Sequence, residues 1–156
     1  MHTSRLMQSV RRIASLLIAL CFLLPLSQCE FNKHGEEQTV QEAHRIYGYD
    51  LAAGGVREIT EGNVAGGAIS TAVSLLVFFL PLALWTASGT KQALAHVLAS
   101  PLAGYAIYMP VFGFATRPLA GGILLTAAWA LLLLSGCVTL AQVLARRRRR
   151  ACEKTA

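Results

Sequence analysis

Residues 118–145, PLAGGILLTAAWALLLLSGCVTLAQVLA, are uncharged and mostly apolar, and five arginines, Arg146, Arg147, Arg148, Arg149 and Arg150, follow directly. About 20 residues at 1.5 Å rise cross a hydrocarbon core about 30 Å thick, so the stretch is long enough to span. An arginine at the bilayer centre costs roughly 2.5–3.5 kcal/mol, which keeps the cluster in water or among headgroups. The junction therefore reads as a membrane helix held at its cytoplasmic end by a topology anchor. Near an anionic surface each arginine adds about 1 kcal/mol of attraction.

Two further apolar segments lie upstream, and together they predict three spans, at about 68–87, 93–115 and 119–144. The expected fold is an all-α membrane protein with a three-helix transmembrane bundle over 68–145 and a basic cytoplasmic tail over 146–156. Composition agrees, since 54% of the 156 residues are hydrophobic and 14% charged. The formal charge of +6 does not imply nucleic acid as a partner. Nine of the fourteen basic residues lie at the two ends, and no basic face is interleaved with stacking aromatics. Seven of the eight acids fall between residues 30 and 61. Basic ends around an acidic middle match the positive-inside bias and place residues 29–67 outside the cytoplasm, as an acidic arm.

The amino terminus carries Arg5, Arg11 and Arg12, an apolar run over 13–26, and then Ser27-Gln28-Cys29. A basic region, a short apolar core and a small-residue boundary describe a signal peptide over 1–28, with an uncleaved first transmembrane helix as the alternative. The stretch Leu26-Ser27-Gln28-Cys29 resembles a bacterial lipobox, departing from it at Gln28, where Gly, Ala or Ser is usual. That resemblance implies a covalent lipid on Cys29 and residence in the bacterial cytoplasmic membrane. The other cysteines, Cys21, Cys137 and Cys152, fall in the leader, in a span and in the tail, so no disulfide framework is expected.

Within the arm, residues 36–51 predict a short helix, with Val40, Ala43, Tyr47 and Leu51 at spacings of three and four and Gly48, Gly54 and Gly55 interrupting it. His34 and His44 lack the spacing of a compact metal set. No metal and no cofactor is expected. Gly62, Gly66, Ser70 and Ser74 repeat at four-residue intervals, and Gly122, Thr126 and Ala130 repeat the pattern in the last span. Such small-residue faces let helix backbones approach closely, and in lipid that packing drives association.

Pro81 predicts a kink in one span, and Pro101 and Pro110 break the next, which is expected to lie within a bundle or line a cavity. Tyr105 and Tyr108 are read as one packing face and Trp85 as an aromatic-belt residue. No Asp, Glu, Lys or Arg falls mid-span, which disfavours ion-coupled transport and intramembrane acid–base chemistry. The expectation is a non-enzymatic interaction or accessory component that meets a membrane-protein partner, or a second copy of itself, through its small-residue faces. The alternative is a small oligomeric pore lined by the proline-broken span.

Overall fold

The computed structural model describes residues 2–32, 41–87, 89–113, 115 and 117–155. Pro118 precedes a leucine- and alanine-rich run with no further proline, and α5 accordingly runs Ala120–Thr155. It passes straight through the arginines, because arginine is a good helix former and cations suit a helix C-terminus. Upstream come α1 (His2–Cys21), β1 (Pro25–Asn32), β2 (Gln41–Tyr47), α2 (Gly48–Thr60), α3 (Val64–Ala83), α4 (Gly89–Tyr108) and β3 (Arg117–Pro118). A 3-10 turn, Leu84–Thr86, extends α3, and a π-helical turn, Met109–Gly113, ends α4. Among the described residues, three helical stretches are long and apolar enough to cross a membrane: Val64–Thr86, Thr90–Gly113 and Ala120–Arg148. The chain is thus a largely helical protein consistent with a multi-pass membrane fold.

The helices pack in pairs, α2 on α3 and α4 on α5, with α1 wedged between α3 and α5. A three-stranded antiparallel sheet of order β2-β1-β3 closes one end, where Pro25 faces Tyr47 and Ser27 faces Pro118. The opposite end is basic. There Arg11 Nη2 donates to Thr139 Oγ1 at 3.4 Å, and the Arg12 guanidinium sits 5.4 Å from the Trp85 ring. These two ends are the hairpin end and the arginine end. The core between them is built from Ala14, Ile18, Leu26, Val77, Phe78, Ile107, Val111, Leu125, Trp129 and Leu132.

The helix expected over 36–51 is not formed across residues 41–47. Residues 41–47 are instead strand β2, and the helix starts at Gly48; residues 36–40 lie outside the described residues. The spacing of Ala43, Tyr47 and Leu51 suited a helix, but β1 supplies a ladder for the backbone of 41–47, and tertiary pairing overrides a short periodic signal. Gly48 marks the switch because a Cβ there would lie 2.7 Å from the Phe22 Cα. Asp50 completes the start of α2, its Oδ2 accepting from the Tyr47 backbone N–H at 2.9 Å. Gly54 and Gly55 do not interrupt α2. Gly55 is buried against Gly67 and Thr71 of α3, so the two helices meet backbone to backbone.

The prolines are absorbed without breaking the bundle. Pro81 lacks the N–H that would bond the Val77 carbonyl, and Trp129 Nε1 on α5 donates to that carbonyl at 3.2 Å. Pro101 sits inside a continuous α4. Pro110 lies in the π-helical turn, where its carbonyl accepts from Ser27 Oγ at 2.8 Å and ties α4 to β1.

Candidate functional site: grooves beside the fourth helix and a buried polar seam

Because α3 and α4 barely touch, a groove of about 520 Å³ opens between them, with Ser70, Ser74, Leu102, Tyr105, Ala106 and Met109 among its lining residues. A second groove of about 250 Å³ runs along the other flank of α4, between it and α5, past Ser100, Gly104, Tyr108, Thr126, Trp129 and Ala130. Tyr105 and Tyr108 therefore do not share one packing face. They fall in different grooves and are 64% and 58% exposed.

Both grooves are chemically apolar despite their hydroxyls. Ser74 Oγ donates to the Ser70 carbonyl at 2.8 Å, Thr126 Oγ1 to the Gly122 carbonyl at 2.8 Å and Ser100 Oγ to the His96 carbonyl at 2.6 Å. Each hydroxyl is satisfied by its own helix, as expected in lipid, and what it presents to the groove is small size.

The two small-residue ladders are each split by the fold. Gly62 precedes α3 with φ of 99°, in the turn out of α2. Gly66 faces the Asn63 side chain that caps α3, with Asn63 Oδ1 accepting from the Gly66 N–H at 3.2 Å. Ser70 and Ser74 alone of that set line the α3–α4 groove. In α5, Gly122 is buried against the Leu26 carbonyl and Val111, while Thr126 and Ala130 line the α4–α5 groove. Contact between α2 and α3 uses the neighbouring register, Gly67 and Thr71, which meets Gly55. The signal for it was present as a second glycine beside Gly66, with Thr71 four residues on, but nothing in one sequence selects between two adjacent registers.

No known family, no curated protein and no solved structure matches the chain. Its chemistry is therefore read from its own residues. Cys29 lies within β1, opposite His44 in the ladder to β2. Arg146, Arg147 and Arg148 are exposed on the last turns of α5, and Arg149 and Arg150 continue the same helix. Among the described residues no group of three or more His, Cys, Asp or Glu side chains comes together.

Toward the arginine end, α1, α4 and α5 enclose polar side chains that hydropathy alone does not reveal. Arg11, Ser15, Gln92, His96 and Ser135 are all buried. Ser15 Oγ donates to the Arg11 carbonyl at 2.8 Å, and Thr139 Oγ1, which accepts from Arg11, donates to the Ser135 carbonyl at 2.8 Å. Close approach of α4 to α5 is permitted by Gly136, where a Cβ would stand 3.1 Å from the Ala93 carbonyl. His96 is fully buried, and neither ring nitrogen has a hydrogen-bond partner. A buried polar group without a partner costs about 1–3 kcal/mol. His96→Leu is accordingly expected to raise the thermal midpoint in detergent by a few degrees, at about 2–4 °C per kcal/mol. An unchanged or lowered midpoint would show that the imidazole is satisfied in the membrane-embedded protein.

Proposed function

We propose that the protein is a small non-enzymatic component of the bacterial cytoplasmic membrane that docks a transmembrane helix, of a partner protein or of a second copy, against the flanks of α4. One observation carries this reading: Ser70, Ser74, Gly104, Thr126 and Ala130 line two open grooves rather than filling the chain's own core. Small side chains on an open face let a second backbone come close, and in lipid such packing supplies the association energy. The grooves' low polarity favours docking over conduction, since the hydroxyls of Ser74, Ser100 and Thr126 are already bonded to helix carbonyls. The arginine end, with Arg146 to Arg150, is placed in the cytoplasm by the positive-inside bias.

Replacing both Ser70 and Ser74 by leucine is expected to lower recovery of the partner or oligomer in mild detergent about tenfold. That corresponds to about 1.4 kcal/mol, within the range of single helix contacts in lipid. Unchanged co-purification together with unchanged oligomer size would remove the reading. Reproducible single-channel steps in reconstituted bilayers would replace it with the pore alternative.

A further inference from the structure

Residues 2–28 have the outward form of an export leader, yet in the fold one face of α1 and the start of β1 are interior, while Ile13, Leu16, Leu20 and Leu23 stay exposed. Ala14, Ser15, Ile18, Cys21, Leu26 and Ser27 are each 2% exposed or less, and they fill the seam between α3 and α5. The Phe22 ring stacks edge-on against Phe78 at 5.3 Å and Phe79 at 5.1 Å, and the Phe22 carbonyl accepts from the Tyr49 N–H at 3.2 Å. Phe22, the residue after α1, is therefore hydrogen-bonded to α2 and packed on α3.

The boundary itself is the most constrained part. β1 is the central strand of the sheet, so Gln28 is paired on one side with Arg45 and on the other with Arg117. The Leu119 N–H donates to the Leu26 carbonyl at 3.0 Å, and Ser27 Oγ holds the Pro110 carbonyl at 2.8 Å. Gly121 is shaped to this strand: a Cβ there would stand 2.5 Å from the Pro25 carbonyl. A peptidase or an acyl transferase acts on extended, accessible backbone. Here that backbone would have to leave two ladders first. Without residues 25–28, β3 loses its pairing with β1, and Gly121 and Gly122 lose their nearest backbone neighbours, the Pro25 and Leu26 carbonyls.

We propose that residues 2–28 are retained in the mature protein as a permanent element of the bundle, and that Cys29 is an internal strand residue rather than an acylated amino terminus. The proposal does not depend on the helix-docking reading. It also sets the layout of the charges. Because Arg11 meets Thr139 and Arg12 meets Trp85, the basic start of α1 and the basic end of α5 share one side of the membrane. The positive-inside bias is then satisfied at both ends of the chain by one orientation.

The full chain, carrying a carboxyl-terminal affinity tag and expressed in a bacterium with an active lipoprotein pathway, is purified in mild detergent and its intact mass measured. The expected result is the uncleaved mass, with peptides covering residues 2–28, and Cys29→Ser is expected to match the parent in processing and yield. A mass beginning at Cys29 with a diacylglyceryl addition overturns the proposal, as does an unacylated chain beginning near residue 28. An independent readout is Ile18→Ala, which is expected to lower the thermal midpoint of the purified protein by roughly 5 °C or more. If the leader had been removed, the purified variant would be identical to the parent, and an unchanged midpoint would likewise overturn the proposal.

Discussion

Gly67→Leu is expected to separate α2 from α3 and to destabilise the protein by about 3 kcal/mol or more, at the upper end of overpacking effects. A Cβ at residue 67 would run into the Gly55 carbonyl and would stand 2.8 Å from the Ile59 N–H. Both are backbone atoms, so no rotamer change relieves the clash. The helices must move apart, and α2 then loses most of its packing, which is chiefly against α3. The thermal midpoint should fall by roughly 6–12 °C, and the peptide bonds of residues 48–60 should become sensitive to limited proteolysis. Gly54→Ala is the control. Nothing lies within 4 Å of a Cβ there, so the substitution should stabilise α2 by about 0.5–1 kcal/mol. A Gly67→Leu protein as stable and as protease-resistant as the parent would mean that α2 does not lie on α3.

Trp129→Ala is expected to be comparably damaging, about 3–5 kcal/mol, because it empties the centre of the core and strips the Val77 carbonyl of its donor. The informative variant is Trp129→Phe, which keeps an aromatic ring but removes the indole N–H. In the parent it should cost about 1–2 kcal/mol, since Pro81 leaves Val77 with no donor from its own helix. In a Pro81→Ala background the restored N–H at residue 81 can bond Val77, and the same Trp129→Phe change should then cost about 1 kcal/mol less. Thermal or denaturant unfolding of the four proteins measures this coupling. Additive effects would dissociate the indole from the proline, and the hydrogen bond would lose its place in the account of the bundle.

That proline and tryptophan pair shows how far a single sequence can be read. Pro81 announces a carbonyl without a donor four residues earlier. The partner, Trp129, lies 52 positions downstream on another helix, and nothing local connects them. The small-residue faces behave in the same way. Their presence is visible as a spacing of four, whereas the choice between Gly66 and Gly67 as the buried register depends on where α2 comes to rest. His96 could be placed near one end of its span by its distance from Lys91, but its burial depends on α1 and α5 closing over it.

The three apolar helices and the arginine cluster at the end of the last follow from the sequence alone. Hydrocarbon thickness and the cost of burying charge are properties of single segments, independent of what surrounds them. The strand identity of residues 41–47, the burial of Ala14, Ile18, Cys21 and Leu26 and the two grooves beside α4 were decided only by the tertiary structure. Each depends on backbone groups and surfaces far apart in the chain. A short segment with weak local preference takes whichever conformation satisfies its hydrogen bonds against the neighbours that the fold provides.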